Sequence, residues 1–425
     1  MTLGKKLDGI SRELGLSQRP ASEAAPRPEP RGNPLRLENL LAGELIRHDA
    51  GACFVVETVH RLDDLHGLHA FGEVLSVSGS QLALISKDPE LTYADLSRAV
   101  FLDTETTGLG MGAGTYVFLV GAGYLEPDGF HVKQFFLRGP NEETAFLAAL
   151  GSFLAEFSCL VTFNGKAFDW PMLESRFVRQ RRASPFNDPP HVDLLHPAMR
   201  LWKRRLESCA LSSLETNILG VARTKEDVPG WEIPGRYFMY QRTGDGRQLE
   251  GVFYHNLQDI LSLAALTVHI DRVLSDPLCG LVTEGIDFFC LGRAFDRAGD
   301  PELAVVCYEE GLRRGLLVHQ RGECLMSLAI VQKRERRWDA ALQCWDLLID
   351  EGGSAALFAR LELAKFYEHV ERDYMQALDH VQSALRLAEL YDSAWPEASQ
   401  RDLEHRQSRL LNRSAREGSW SGSRR

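Results

Sequence analysis

The chain has 425 residues, of which 44% are hydrophobic and 25% are charged, and its formal net charge is −11 at pH 7. This length and composition predict a globular chain of two or three domains and exclude a largely disordered protein. No apolar run resembles a membrane span or a secretory signal, so we expect no membrane partner and a cytoplasmic location. Eight cysteines without a CxxC pair predict free thiols in that reducing compartment.

Two segments precede the most informative part of the chain. Residues 1–35 contain five prolines among serine, alanine, glutamate and arginine, which predicts a flexible tail. Residues 36–98 contain a strand-like run at 53–59 and histidines at 60, 66 and 69 without metal-ligand spacing. We expect this second segment to support the domain that follows it.

Two carboxylates follow a short apolar run at residues 99–102, in the segment Asp103-Thr104-Glu105-Thr106-Thr107-Gly108. In a strand, Asp103 and Glu105 point to the same side of the sheet. Carboxylates so placed repel each other unless a cation lies between them, and such oxygen ligands suit Mg²⁺ or Mn²⁺. The alternative is a solvated strand end.

Two later segments add carboxylates of the same kind. A buried strand at 160–163 is followed by Asn164-Gly165-Lys166-Ala167-Phe168-Asp169, which predicts Asp169 at a strand-to-helix transition. The segment 254–259 opens a strongly helical run and supplies Asp259. Four carboxylates in the order Asp, Glu, Asp, Asp form a ligand set for two metal ions that hydrolyse a phosphodiester.

The segments DTETTG, NGKAFD and HNLQD resemble the three motifs of the DEDD 3′→5′ exonucleases of the ribonuclease H-like superfamily. The chain also resembles the bacterial family of YprB-like ribonuclease H-like domains, with which it shares the segments SSLE at 212–215 and VPGWEIP at 228–234. The likeness spans about residues 95–275. It implies an α/β domain with a mixed sheet flanked by helices, here placed at 99–276, that binds a single strand or 3′ end of nucleic acid.

The third motif leaves two candidates for the general base, since Tyr254 lies five residues before Asp259 and His255 lies four before it. On a helix, four residues bring a side chain within about 40° of the same face, whereas five carry it about 140° away. A histidine with an ordinary pKa of about 6.5 also accepts a proton readily at neutral pH. We therefore assign His255 as the base and Tyr254 to packing or substrate contact. The alternative for His255 is pairing with backbone at the helix start.

Other motif residues are candidates for substrate binding. The resemblance implies that Thr106, Thr107 and Gly108 contact the terminal nucleotide, although the same residues suit a turn that ends the strand. Asn164 and Lys166 lie at a helix start, where backbone donors and a positive charge suit a phosphate, but Asn164 also suits a turn. Asp193 is a fifth acid, to which we assign a surface or supporting role outside the catalytic set.

The distribution of charge bears on a nucleic-acid partner. A net charge of −11 argues against non-specific duplex binding. A local basic segment nevertheless follows the second motif, and it either guides a strand or forms a solvated helix face. Its members are Arg176, Arg179, Arg181, Arg182, Lys203, Arg204 and Arg205.

Residues 277–392 change to a repeating helical pattern. Small residues recur at Ala304, Ala341 and Ala377, 37 and then 36 residues apart. About three such units resemble a tetratricopeptide array, which implies a protein or peptide partner, and a plain helical bundle is the alternative. Residues 393–425 are expected to form a C-terminal helix and a basic tail, with disorder from Ser408.

These patterns favour a metal-dependent nuclease, most specifically a 3′→5′ exonuclease with a helical-repeat module. Two alternatives remain: a non-catalytic scaffold that binds nucleic acid or protein, and an endonuclease that acts on a structured substrate. The enzyme is favoured because four carboxylates and a base are all present.

Overall fold

The computed structural model describes residues 34–48, 50–108, 110, 114–186, 188–390 and 397–421. The chain forms two compact units that divide after Cys279. Residues 1–33 of the predicted flexible tail lie outside the described residues. Residues 422–425 of the predicted basic tail also lie outside them. The other predicted boundaries stay predictions.

A mixed sheet organises the first unit. The strands of the described part are β1 (Gly43–His48), β2 (Gly51–His60), β3 (Leu65–His66), β4 (His69–Ala70), β5 (Ala99–Thr106), β6 (Val117–Glu126), β7 (Gly129–Phe136), β8 (Cys159–Thr162) and β9 (His191–Asp193). Among them, seven form one sheet in the order β1-β2-β7-β6-β5-β8-β9, and β3 pairs with β4. β5 is antiparallel to β6 and parallel to β8, so it lies where the sheet changes direction.

The helices of the first unit are α1 (Gly79–Ser86), α2 (Glu143–Leu154), α3 (Asp169–Arg179), α4 (Leu195–Trp202), α5 (Leu211–Leu214), α6 (Ile233–Thr243) and α7 (Glu250–Ser275). Short 3₁₀ turns lie at Leu37–Asn39, Phe71–Ser76, Pro89–Tyr93, Leu96–Arg98, Pro140–Glu142, Gly230–Glu232 and Gly246–Gln248. A π-helical turn at Glu215–Leu219 follows α5.

Helices cover both faces of the sheet. Gly123 of β6 lies against Ile260 of α7, at a spacing that leaves no room for a Cβ atom. Its neighbour Tyr124 packs edge-on against Phe153 of α2, with ring centroids 5.2 Å apart. Since adjacent strand residues point to opposite faces, α7 and α2 lie on opposite sides. The predicted mixed sheet flanked by helices is confirmed.

The second unit is all-helical in the part that the structure describes, as predicted. Its helices are α8 (Gly285–Ala298), α9 (Pro301–Arg314), α10 (Val318–Arg334), α11 (Trp338–Glu351), α12 (Gly353–Phe366), α13 (Tyr374–Leu390) and α14 (Glu397–Ser421), with a π-helical turn at Tyr367–Glu371. Consecutive helices pack together, and α8 and α12 also contact α10. Ala304, Ala341 and Ala377 are fully buried, as close helix pairs require. Their assignment to tetratricopeptide units stays a prediction.

The disorder predicted from Ser408 was wrong as far as Ser421, because α14 continues to that residue. Leu403 and Leu410 are buried in the core of the second unit. Arg406 and Arg409 also form ion pairs with the buried carboxylate of Glu368. Composition alone misses such long-range pairing.

Across the described residues, no helix has both the length and the apolar content that crossing a membrane requires.

A buried histidine pair joins β4 to α7 and predicts acid sensitivity. Nε2 of His69 lies 3.0 Å from Nδ1 of His269, and burial lowers the pKa of His269 to about 3, with the charge of His69 acting in the same direction. The folded state therefore disfavours protonation, so the contribution of the pair is complete above about pH 6.5 and is lost as pH falls toward 3.

We expect the free energy of unfolding to fall by up to about 1.4 kcal/mol per pH unit per buried histidine over this interval. His269→Gln should show a shallower dependence in urea unfolding between pH 7.5 and pH 5. The same substitution at the exposed His196 is the control. Equal slopes for all three proteins would refute the assignment.

Candidate metal and catalytic site

β5 places the first two carboxylates side by side. Asp103 and Glu105 are partly buried, whereas Thr104 and Thr106 on the opposite face are buried more completely, as strand alternation predicts. Asp103 pairs in register with Gly121 of β6, and the register shifts between Glu105 and Thr106. The two carboxylates therefore lie on one face where the strand ends.

Asp169 is the first residue of α3, as predicted, and its side chain is buried. The hydroxyl of Thr104 donates a hydrogen bond to Asp169 Oδ1. Burial raises the pKa of Asp169 to about 6, against the opposing effect of the Thr104 hydrogen bond. A nearby cation would stabilise the ionised form of a carboxyl group whose pKa is raised in this way.

α7 brings Asp259 and His255 to the same face. Between them, the fully buried Asn256 donates from Nδ2 to Asp103 Oδ2 at 2.8 Å. Its Oδ1 accepts from Gln134 Nε2 at 2.9 Å. The Asn256 amide thus connects α7 to the carboxylate on β5.

The four carboxylates form one electrostatic group. Burial raises the pKa of Asp103 well above its ordinary value, and the charges of Asp259 and Asp169 raise it further. Glu105 has the same direction of shift, from burial first and then from the charges of Asp103, Asp259 and Asp169. Four acids in one partly buried region are unfavourable without a nearby positive charge.

The donor set suits hard divalent cations because it contains oxygen ligands only. In the described part of the chain, no three acidic, histidine or cysteine side chains already meet in a metal-binding arrangement. Each aspartate of the group instead accepts from a protein donor: Asp103 from Asn256, Asp169 from Thr104 and Asp259 from Arg223. These residues fit Mg²⁺ or Mn²⁺ if a cation displaces such donors.

His255 is paired with carboxylates. Its Nδ1 lies 2.7 Å from Asp227 Oδ1, and its Nε2 lies 3.5 Å from Asp259 Oδ2. Nη1 of Arg223 also lies 3.2 Å from Nδ1, but a nitrogen that donates to Asp227 cannot accept from Arg223. The shorter contact favours a proton on Nδ1, which leaves Nε2 without a proton on the side of Asp259, where it can accept a proton from a donor such as water. The hydroxyl of Tyr254 instead accepts a hydrogen bond from the backbone N–H of Thr224, at 3.1 Å.

The candidate substrate residues of the first motif take part in a turn. The hydroxyl of Thr106 donates to the carbonyl of Gly108 at 2.9 Å, and the hydroxyl of Thr107 accepts from the N–H of Tyr116 at 2.9 Å. Both hydroxyls therefore have partners within the turn that follows β5.

The second motif is held by Asp193. Its carboxylate accepts from the backbone N–H groups of Asn164 at 2.7 Å and Lys166 at 3.1 Å. Asn164 has a positive φ of 64°, which fits its alternative role in a turn. The ammonium of Lys166 lies 3.3 Å from Asp88 Oδ2 and is half exposed, so it lies at the surface. Asp193 supports the turn that precedes Asp169.

Sequence reasoning missed three residues beside the carboxylates. Arg223 donates to both oxygens of Glu215, at 2.6 and 2.7 Å, and also to Asp259. Against the opposing effect of burial, the charges of Asp259 and Glu215 raise the pKa of Arg223. Asp227 completes this group through its contact with His255. The SSLE segment contains Glu215, but no spacing rule connects it to the three motifs.

The predicted basic segment is partly buried. Arg176 pairs with Glu143 at 2.5 Å, and its guanidinium lies 4.4 Å from the ring centre of Tyr116. Arg176 neither guides a strand nor belongs to a solvated helix face, because its charge is already paired with Glu143 inside the domain. Arg179 and Arg181 are exposed and keep both alternatives open.

The contact between Gly121 and Asn256 yields a stability prediction. A Cβ atom at Gly121 would collide with Oδ1, Cγ and Nδ2 of the buried Asn256. We therefore expect Gly121→Ala to displace the amide that bonds Asp103 and to lower the free energy of unfolding by about 1–3 kcal/mol.

Gly235→Ala is the matched control, since Gly235 is an exposed helical residue with open space around its Cβ position. It should stabilise the protein by up to about 1 kcal/mol. Urea unfolding measures both variants, and a Gly121→Ala protein as stable as the wild type would show that Asn256 has room to move.

Comparison with known proteins now identifies the family. Residues 100–271 match a family model described as the RNase_H superfamily. The chain is 32% identical over 344 residues to the protein YprB of Bacillus subtilis (strain 168), covering 78% of this chain and 80% of YprB. The family B DNA polymerase of the hyperthermophilic archaeon Pyrobaculum calidifontis is similar over 47% of this chain and only 29% of the polymerase, at 15% identity and a TM-score of 0.31. The chain therefore belongs to the family of YprB and contains a domain of the RNase_H superfamily.

Proposed function

We propose that the protein is a divalent-metal-dependent nuclease, most specifically a DEDD-type 3′→5′ exonuclease that hydrolyses single-stranded nucleic acid. The observation that carries the proposal is the electrostatic group of Asp103, Glu105, Asp169 and Asp259 within a domain of the RNase_H superfamily. Carboxyl groups with raised pKa values indicate a site at which bound cations would relieve electrostatic repulsion.

In this proposal, Asp103, Glu105, Asp169 and Asp259 hold two Mg²⁺ or Mn²⁺ ions. Such ions, when bound, supply an activated water and stabilise the leaving oxygen. His255 accepts the proton of the attacking water at Nε2, and Asp227 orients the imidazole through Nδ1. Thr106, Thr107 and Gly108 form the turn that meets the terminal nucleotide, while Asn164 and Lys166 contribute to phosphate binding.

The helical unit is proposed to be a tetratricopeptide-like array that binds a protein or peptide partner. The buried Ala304, Ala341 and Ala377 and the packing of successive helices support this assignment. All eight cysteines lie in the described residues and none is in a disulfide, which supports our proposal of a cytoplasmic location.

The Arg223–Asp259 ion pair favours a second candidate function. A guanidinium that permanently occupied Asp259 would leave a scaffold that binds nucleic acid or protein without cleaving it. The two candidates differ in whether a divalent cation gains access to Asp259.

A cleavage assay separates them. Full-length protein and its Asp103→Asn variant are incubated with 5′-labelled single-stranded RNA or DNA and Mn²⁺ or Mg²⁺, and the products are resolved on a gel. We expect a ladder that shortens from the 3′ end, that appears only with the wild type and that a chelator abolishes.

The other outcomes are equally informative. Internal cuts would retain the metal site and make the protein an endonuclease. No metal-dependent product from single strands or from a duplex with a 3′ overhang would favour the scaffold. Comparison of RNA with DNA establishes the sugar preference.

A further inference from the structure

Arg223 lies between a buried anchor and the carboxylates of the site. On one side, Nε and Nη2 donate to the two oxygens of Glu215, at 2.7 and 2.6 Å. On the other side, Nη2 donates to Asp259 Oδ1, and Nη1 lies 3.2 Å from His255. The guanidinium therefore has one edge directed away from the catalytic residues and another directed at them.

The anchor is fixed independently of the site. Glu215 is only 2% exposed and begins the π-helical turn after α5. The hydroxyl of Ser262 donates to Glu215 Oε1 at 2.6 Å and itself lies 2.8 Å from Nε2 of His66. This bidentate contact holds the guanidinium in place even when Asp259 changes partner.

A divalent cation bound at Asp259 Oδ1 competes with Arg223 for that oxygen. A cation on that carboxylate also repels the adjacent guanidinium, since both are positive. Binding of a cation to Asp259 therefore frees the donor of Arg223 that faces the site. In this largely buried arginine, Asp227 contacts only Nη1, at 3.5 Å, so a released Nη2 donor needs another anionic acceptor. A planar guanidinium matches the oxygens of a phosphate.

We propose that Arg223 covers Asp259 in the metal-free protein and binds a phosphate of the nucleic-acid substrate once divalent cations occupy the carboxylates. Glu215 is then a positioning residue that keeps the guanidinium at the site. The inference rests on the proposed nuclease function and adds a substrate contact to it.

Two binding measurements on full-length protein test the inference. The first is the dissociation constant for Mn²⁺ alone. We expect Arg223→Gln to bind Mn²⁺ at least about fivefold more tightly than the wild type, because a competing positive charge is gone. Arg223→Lys should remain near the wild-type value because it keeps that charge.

The second measurement is the anisotropy of a fluorescent single-stranded oligonucleotide in Ca²⁺. Both variants should bind it at least about tenfold more weakly, because neither side chain contacts Glu215 and a phosphate together. Arg236→Gln, which loses a surface pair with Glu232, is the control and should match the wild type in both measurements.

Tighter metal binding with weaker oligonucleotide binding supports the inference, because loss of folding alone would weaken both. Unchanged Mn²⁺ affinity in a folded Arg223→Gln protein overturns it, and so does unchanged oligonucleotide affinity in either variant. If the wild type binds the oligonucleotide through Arg223 but does not cleave it with Mn²⁺, the proposed nuclease function is refuted and the proposed phosphate contact is supported. If the wild type cleaves the oligonucleotide and both variants bind it normally, the phosphate contact is refuted and the nuclease function is supported.

Discussion

Replacing Asp103 with asparagine is expected to abolish metal-dependent cleavage and, at the same time, to raise the melting temperature of the metal-free protein. The carboxylate contributes to a site whose transition-state stabilisation is several kcal/mol, so we expect a loss of at least about 10³-fold in rate. Gel assays with Mn²⁺ measure this loss. The exposed Asp128→Asn is the matched control and should cleave at the wild-type rate.

The gain in stability follows from the direction of the pKa shift. Burial and the charges of Asp259 and Asp169 raise the pKa of Asp103, so the folded protein binds this proton more tightly than the unfolded chain does. The cost of this group to stability therefore begins above the unfolded pKa, grows as pH rises and is complete above the raised folded pKa. Each kcal/mol recovered should raise the melting temperature by about 2–4 °C.

The stability prediction is tested by comparing the melting temperatures of the two proteins with and without metal. Mn²⁺ should raise the melting temperature of the wild type more than that of Asp103→Asn. A variant that melts below the wild type without metal, or that cleaves at the wild-type rate, would show that Asp103 is not part of a repulsive metal-binding group.

His255→Ala is expected to slow cleavage by about 10²- to 10⁴-fold while leaving Mn²⁺ binding largely intact. The reason is the orientation of the imidazole, whose Nδ1 contacts Asp227 at 2.7 Å and leaves Nε2 as an acceptor. Single-turnover rates with saturating Mn²⁺ measure the chemical step, and Mn²⁺ titration of the same proteins measures the metal site.

Tyr254→Phe is the matched comparison because Tyr254 directly precedes His255. Within the described residues, the hydroxyl of Tyr254 forms one hydrogen bond, with the backbone N–H of Thr224. We expect this variant to keep a rate close to that of the wild type. A slow Tyr254→Phe together with an active His255→Ala would assign the base to the tyrosine.

Local periodicity predicted the parts of the site that lie within single elements. Asp103 and Glu105 share a face because a strand alternates, and His255 lies beside Asp259 because both occupy one turn of α7. Asp169 lies at the start of α3 because an apolar strand and an amphipathic helix bracket it. These relations need no knowledge of the rest of the fold.

Sheet membership was harder to predict than fold class. The segment at 36–98 was expected only to support the α/β domain, yet β1 and β2 belong to the same sheet. β2 pairs with β7, joining Phe54 to Phe136. An antiparallel pairing over this separation leaves no local signal, because either strand alone has an ordinary apolar pattern.

The Arg223 group was missed for a related reason. Glu215, Arg223 and Asp227 lie between α5 and α6, outside the three motifs, where charged residues ordinarily face solvent. Their role depends on how this connection packs against α7. Arg176 gives the same lesson, since its partner Glu143 lies 33 residues earlier in the chain.

The most direct test of a metal site at the four carboxylates counts the Mn²⁺ ions bound by the full-length protein. The electron paramagnetic resonance signal of free Mn²⁺ decreases during titration as the ions bind. The four carboxylates predict saturation at about two ions per chain for the wild type and a clear loss of binding in Asp103→Asn. This test does not depend on the identity of the substrate. Equal Mn²⁺ binding by the two proteins, or none by the wild type, would contradict a metal site at these carboxylates.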